Sequence, residues 1–296
     1  MRILIFGKTG QVGRELERAV WAADASILQW DRSQCDLALP SRVAECVLEM
    51  RPDIVINAAA YTAVDLAESE PELAGTINRD APRAMAEACR SIGAKLVHLS
   101  TDYVFDGSKR TPYVESDPVA PLSVYGRSKE EGETAIRSRL PEHVILRTSW
   151  VFAAHGSNFV RTMLRLARER PELRIVADQR GAPTAARDIA RAIAAIAHAI
   201  ASGRGVWGTF HFASDQPISW FGFAETIFAL RGGGPKLLPI ATEEYKTPAR
   251  RPLYSVLDCG RLAAAYGIAQ PSWRLALGDV LGEVYAEASP KTGSAE

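Results

Sequence analysis

The strongest constraint on the fold is the stretch Gly7-Lys-Thr-Gly10-Gln-Val-Gly13, which joins the apolar run Arg2-Ile-Leu-Ile-Phe6 to the helically periodic residues 14–20. A strand that reads apolar at nearly every position is buried on both faces, as in a parallel sheet. Glycines placed directly after such a strand permit a tight turn and let the backbone approach a pyrophosphate, whose charge then faces the N-terminus of the next helix. Gly7, Gly10, Gln11, Val12 and Gly13 are therefore candidate contacts to a dinucleotide. A Walker loop is excluded, because Lys8-Thr9 precede Gly10 instead of closing the loop. A glycine turn that binds nothing is the competing reading, and the strand and helix flanking it weigh against that.

Strand, loop and helix then alternate. Residues 26–30 read as a second strand ending at Asp31-Arg32. An acid there suits a ribose hydroxyl and an arginine suits a 2′-phosphate, so NADH and NADPH both stay open. Asp36 and Leu37 are expected on the adenine side. Residues 53–57 form a third strand, and Ala58, Ala59 and Ala60 after it are small enough for a nicotinamide ribose to lie against the backbone. Asn78 is either a cap-region residue or part of a proton-relay scaffold in a helix over 78–90. A fourth strand over 95–99 delivers Ser100-Thr101-Asp102 to its carboxyl end, where open α/β sheets bind ligands. Residues 144–146 form a fifth strand. Five such alternations predict a doubly wound parallel sheet of the Rossmann type.

The chemistry sits in Tyr125-Gly-Arg-Ser-Lys129, at the start of a helix over 123–139. One helical turn separates the phenol from the amine, so both can point into one cleft. A free phenol, with a pKa of about 10, is a poor acid or base at neutral pH, and a neighbouring cation favours the phenolate. A Thr101 hydroxyl on the same substrate oxygen as Tyr125 would stabilise a developing alkoxide, and Asp102 could orient a substrate hydroxyl. Alternatively, Ser-Thr-Asp only caps a turn.

The second half reads more loosely. Trp150 and Phe152 either stack on a base or sugar or belong to the core, Asp188 reads as a cap-region acid, and His211 as a packed histidine. The segment 244–252, with Arg250, Arg251 and Lys246, reads either as a grip for phosphates or as a solvated loop. The expected division is a dinucleotide-binding core over 1–150 and a smaller mixed α/β substrate-binding domain over 151–288. Segments near 174–212 return to the core, and a flexible tail covers 289–296.

Lys plus Arg and Asp plus Glu both total 35, so zero net charge gives no general reason to expect nucleic acid or an anionic membrane as partner. Four cysteines without paired spacing indicate neither a disulfide scaffold nor a zinc site. No apolar run approaches the ~20 residues of a membrane span. With no signal peptide read at the N-terminus, a cytoplasmic protein is expected.

Several linked segments are similar to one family. These are 7–13, Arg-Pro-Asp-Ile-Val-Ile-Asn-Ala-Ala-Ala-Tyr-Thr-Ala-Val-Asp at 51–65, Ser-Thr-Asp-Tyr-Val-Phe-Asp-Gly at 100–107 and Tyr-Gly-Arg-Ser-Lys at 125–129. Arg-Thr-Ser-Trp-Val-Phe at 147–152, Asp-Gln-Arg-Gly-Ala-Pro-Thr at 178–184 and Thr-Pro-Ala-Arg-Arg-Pro at 247–252 continue the likeness to about residue 285. Together they resemble the dTDP-4-dehydrorhamnose reductases of the extended short-chain dehydrogenase/reductase superfamily. The resemblance implies reduction of the 4-keto group of dTDP-4-dehydro-beta-L-rhamnose by NADPH or NADH, the last step of dTDP-L-rhamnose synthesis. It implies Tyr125 as proton donor, Lys129 on the nicotinamide ribose and lowering the Tyr125 pKa, and Thr101 as the catalytic hydroxyl. Asp102 and Trp150 then match substrate-side positions, and Arg250 a nucleotide phosphate contact. Gly10, Gln11, Val12, Gly13, Asp31, Asp36, Leu37 and Ala58–Ala60 match cofactor contacts, with Arg32 beside them. Some members hold Mg2+ at an acidic dimer contact, and Glu15 matches one such ligand. No metal site is predicted here, and monomer and homodimer both remain open.

Overall fold

The structure, a computed structural model, describes residues 1–288. The first apolar run becomes β1 (Arg2–Phe6), whose alternate side chains serve two different cores. Ile3 and Ile5 face one layer of helices and Leu4 and Phe6 the other, as the two-residue period of a strand requires. Around it lie β2 (Ser26–Trp30), β3 (Ile54–Asn57), β4 (Lys95–Thr101) and β5 (His143–Thr148). A later strand, β7 (Gly208–His211), completes a six-stranded sheet of order β7-β5-β4-β3-β1-β2, parallel at every pairing. The order reverses direction between β1 and β3, which opens a crevice at the carboxyl ends of those strands.

Helices cover both faces. On one, α1 (Gln11–Arg18) and α6 (Ala186–Ala201) bury Leu16, Ile189, Ile193 and Ile196. On the other, α2 (Pro40–Met50), α3 (Ala81–Ile92) and α4 (Val124–Arg139) bury Val43, Val47, Met85 and Ile136. Each fully buried side chain of this size contributes about 1.5–3 kcal/mol. A separate core gathers Phe152, Met163, Leu173, Phe223, Trp273 and Leu277. It is built from α5 (Phe159–Glu169), β6 (Glu172–Val176), α7 (Trp220–Arg231), β8 (Lys236–Ile240) and α9 (Trp273–Ala288), with β6 and β8 paired in parallel. The short α8 (Gly260–Tyr266) packs Leu262 onto the first core.

Two boundaries differ from the sequence expectation in ways that matter. The helix expected over 78–90 starts as α3 only at Ala81, after a five-residue π turn over Thr76–Asp80. The wider turn carries Asn78 inward, where its amide bonds Tyr61 N, Tyr61 O and Ser128 Oγ at 2.8, 3.0 and 3.0 Å. Asn78 thus braces the segment after β3 against α4 and caps no helix. The fourth strand runs two residues further than expected, so Ser100 and Thr101 are held in the ladder opposite Arg147 and Thr148. The tail over 289–296 lies outside the described residues. Among the described residues no helix is long and apolar enough to cross a membrane.

Helix α4 approaches the π turn so closely that a Cβ at Gly132 would collide with the Asn78 carbonyl oxygen. Alanine gains about 1 kcal/mol of helix propensity over glycine, and overpacking costs about 1–3 kcal/mol. Gly132→Ala is therefore expected to lower stability despite the better helix former, read as a lower midpoint of urea unfolding at unchanged slope.

Candidate active site

The crevice at the strand ends is a cleft of about 520 Å³ running from the glycine turn to the start of α4. Gly7, Gly10, Gln11, Val12, Asp31, Arg32, Asp36, Leu37 and Ala58, Ala59 and Ala60 all line it. Gly13 does not. It lies beneath the turn, where a Cβ would strike the Gly7 carbonyl, so its glycine lets α1 pack against the loop. Gly7 itself has φ +99°, and a Cβ there would stand 2.8 Å from the Ala58 backbone. The turn is therefore a cradle of bare backbone at a helix N-terminus, which suits a dinucleotide pyrophosphate. At the adenine end, the Asp31 carboxylate takes hydrogen bonds from Ser33 Oγ (2.6 Å) and Ser33 N (2.8 Å), which hold its pKa below the usual carboxylate range. Arg32 is largely exposed and only loosely paired with Asp36 at 3.9 Å.

At the other end the Ser123 hydroxyl accepts the Gly126 N–H at 3.2 Å and starts α4. This cap sets Tyr125 in the first turn and Lys129 one turn on. Both line the cleft together with Thr101 and Asp102. Thr101 Oγ1 donates to Asp102 Oδ1 at 3.1 Å, and its hydroxyl lies beside the Tyr125 side chain. The Tyr125 ring packs edge-on against Tyr103, centroids 5.8 Å apart. Lys129, 2% exposed, donates from Nζ to Leu99 O at 2.6 Å and lies 3.2 Å from His98 Nε2.

Burial dominates the ionisation of all these groups. It pushes Lys129 down to about 8. Tyr125 is pushed up to about 12, with the Thr101 hydrogen bond pulling the other way and the Asp102 charge adding to the rise. The expected lowering of the Tyr125 pKa by Lys129 is not found, because the amine is turned toward Leu99 O and His98 and desolvation outweighs it. The phenol is thereby held protonated, the form a proton donor needs. Asp102 is raised to about 7 by burial, against the opposing influence of the Ser255 and Thr101 hydroxyls nearby. Its Oδ2 is buried with no hydrogen-bond partner in the protein. A buried carboxylate oxygen left open at a cleft is a seat for a ligand donor.

Trp150 has a φ of +47° and stacks face to face on Trp220 at 3.5 Å and 5°. Both rings line the cleft, and Trp220 also lines a second cavity of about 610 Å³ bounded by Phe159, Met163, Ile175, Arg174, Tyr245 and Arg251. Arg251 is held by Asp65 at 2.7 Å. Arg250 is exposed and lines neither cavity. The Glu15 carboxylate is engaged by His155 Nε2 at 2.6 Å and Arg18 at 3.4 Å. Among the described residues no group of three or more His, Cys, Asp or Glu side chains could hold a metal ion.

Sequence reasoning missed Trp220, His98 and the buried pair of Glu133 with Arg147. Glu133 had a readable signal, since it follows Lys129 by four residues on the same helical face. Trp220 and His98 had none, because each meets the site only through a partner distant in the chain.

A Rossmann sheet whose cleft unites a glycine turn with Thr101, Tyr125 and Lys129 defines a short-chain dehydrogenase/reductase. The profile of the RmlD substrate binding domain matches residues 1–286. The chain is 47% identical over 279 residues to the dTDP-4-dehydrorhamnose reductase of Sinorhizobium fredii, covering 92% of this chain and 94% of that one. It is 43% identical to the Escherichia coli K12 enzyme of the same name, covering 96% and 98%. The crystal structure of dTDP-4-dehydrorhamnose reductase from Bacillus anthracis in complex with NADP superposes with a TM-score of 0.89 at 38% identity, covering 95% of this chain and 99% of that one. The chain belongs to the dTDP-4-dehydrorhamnose reductase family.

Asp102 makes stability depend on pH in a predictable direction. Its folded pKa, about 7, lies above the unfolded value of 3.8. Between those values the folded state binds more protons, so this group's contribution falls as pH rises from about 4 to 7. The unfolding free energy of the wild type minus that of Asp102→Asn is expected to decline across this window in chemical denaturation. A flat difference would show that Asp102 ionises normally.

Proposed function

We propose that the cleft reduces the 4-keto group of dTDP-4-dehydro-beta-L-rhamnose with NADPH or NADH, giving dTDP-beta-L-rhamnose in the last step of dTDP-L-rhamnose synthesis. The observation that carries this reading is the cluster of a protonated Tyr125, the Thr101 hydroxyl and the open Asp102 Oδ2, set in one cleft with a pyrophosphate-type turn. Kinship with reductases named for that substrate supplies the sugar.

The glycine turn and the α1 N-terminus would hold the cofactor pyrophosphate, and Ala58–Ala60 and Lys129 the nicotinamide ribose. Asp31 would take the adenosine ribose hydroxyls, or Arg32 a 2′-phosphate. The bound cofactor supplies a hydride to the ketone carbon. Tyr125 donates its proton to the ketone oxygen as charge builds there, and Thr101, turning its hydroxyl away from Asp102, donates a hydrogen bond to the same oxygen. Asp102 Oδ2 accepts a sugar hydroxyl and so fixes which ring carbon meets the cofactor. Trp150 walls the sugar. The second cavity, with aromatic and cationic lining, suits the thymidine diphosphate, and Arg250, exposed outside both cavities, would have to turn in to meet the phosphates. A cytoplasmic setting fits this chemistry. No Mg2+ site is assigned.

Tyr125→Phe tests the assignment. It removes the transferable proton and little volume, so NADPH binding should persist while kcat falls by roughly 10²–10⁴-fold. The measurement is NADPH absorbance with freshly generated dTDP-4-dehydrorhamnose, with the sugar product identified. Net consumption of free cofactor also separates reduction from epimerase or dehydratase chemistry, which regenerates it. Unchanged turnover in the variant would remove Tyr125 as the donor.

A further inference from the structure

Among the described residues, two buried side-chain oxygens line the cleft without a hydrogen-bond partner in the protein. One is Asp102 Oδ2, already read as a seat for a sugar hydroxyl. The other is Thr148 Oγ1. Thr148 is the last residue of β5 and is 7% exposed. Threonine suits a strand by its β-branched shape, and valine would supply that shape without a hydroxyl. A hydroxyl buried unpaired costs stability, so its place at a cleft marks a bond that a ligand completes.

The sheet sets the direction of this hydroxyl. Thr148 is the register partner of Thr101, and Arg147 that of Ser100. Ser100 and Arg147 both reach Glu133 of α4, so they face the α4 side. Alternation along the strands then turns Thr101 and Thr148 to the opposite face, where α1 packs. Val12 of α1, Ala58, Leu99 and Val151 belong to that same packed layer and also line the cleft. They make an apolar floor, to which Thr148 adds a hydroxyl from the strand beside Leu99. The floor lies on the side from which the glycine turn and α1 would present the pyrophosphate.

We propose that Thr148 anchors the carboxamide of the nicotinamide. This rests on the cofactor occupying the cleft in the manner proposed above. A nicotinamide ring is flat and apolar on both faces, and its one polar group is a carboxamide on the carbon next to the hydride-giving one. With its ribose at Ala58–Ala60 and Lys129, the ring would extend over the apolar floor toward β5. The carboxamide must then lie near the reacting ketone, where Tyr125, Thr101 and Asp102 are already engaged with the sugar. Thr148 is the hydroxyl left over. A hydroxyl both donates and accepts, and a carboxamide offers an N–H and a carbonyl, so the two are matched. The bond stops the ring from turning about its glycosidic bond and so fixes which face meets the ketone.

Thr148→Val removes the hydroxyl and keeps the shape. In titration calorimetry on the full chain it should weaken NADH binding by roughly 3- to 30-fold. Binding of ADP-ribose, which lacks the nicotinamide, and of dTDP-rhamnose should not change. Thr148→Ser should restore most of the NADH affinity. Without any ligand, the urea midpoint of Thr148→Val should equal or exceed that of the wild type, because an unpaired buried oxygen is gone. If the valine variant does not fold, Thr148→Ala carries the same comparison of NADH with ADP-ribose. Unchanged NADH affinity, an equal loss for NADH and ADP-ribose, or a lower unliganded midpoint would each overturn the proposal. A loss confined to dTDP-rhamnose would overturn it too, by giving the hydroxyl to the sugar. Every reading is made without turnover, so this anchor can fail while Tyr125→Phe still finds Tyr125 to be the proton donor.

Discussion

The geometry of the cleft depends on α4 sitting in one register over β4 and β5, and a buried carboxylate sets that register. Glu133, 0% exposed, accepts Arg147 Nε and Nη2 at 2.9 and 2.6 Å, Ser100 Oγ at 2.5 Å and Arg137 Nη1 at 2.8 Å. An apolar helix face can slide or rotate over a sheet at little cost. The buried face of α4 is instead Gly126, Ser128, Lys129, Gly132 and Glu133, with Ala135 and Ile136 at its far end. Replacing a buried ion pair with well-packed apolar groups is often neutral in stability. What Glu133 adds is direction: it ties the helix carrying Tyr125 and Lys129 to the strand carrying Thr101, through Ser100 next door.

The same burial explains the ionisation pattern. An acid, a phenol and an amine are all displaced toward their neutral forms, as removal of water predicts for groups of either sign. Burial at the cleft floor thus draws each group toward its uncharged form, and it holds Tyr125 as the phenol that the proposed proton transfer requires. The sequence reading of a cation that lowers the phenol pKa assumed solvated groups side by side. With both buried, desolvation is the largest cause of each shift, and Lys129 is not among the groups that move Tyr125.

The fold was legible because its signals are local. The apolar run 2–6, the glycines behind it and the repeated strand ends at Asp31, Asn57 and Thr101 each report a parallel strand without knowledge of any distant residue. The same strand ends supplied most of the cleft lining. Where the sequence misled, the cause was long-range. Asn78 lies in a π turn because its amide satisfies Tyr61 backbone groups 17 residues away. Arg250 and Arg251 are equivalent in sequence, and only the position of Asp65 decides which is held. Trp220 sits in a helix whose apolar residues look like ordinary core, until Trp150 is stacked upon it.

That stack links the two halves of the molecule. Trp150 belongs to the chain leaving β5 and Trp220 to the first turn of α7, and the pair stands where the catalytic cleft meets the second cavity. The positive φ at Trp150 is a strained conformation for a bulky residue, sustained by its surroundings. On the proposed reading, a nucleotide sugar spans the two spaces past these rings, with its reacting carbonyl at one end. Binding energy gathered by the remote nucleotide can then orient the sugar against Tyr125 and Thr101, although no part of the nucleotide reacts. A sheet and glycine turn alone would hold a cofactor. On the proposed reading, the aromatic junction is what lets the second half of the chain decide which ketone is presented to it.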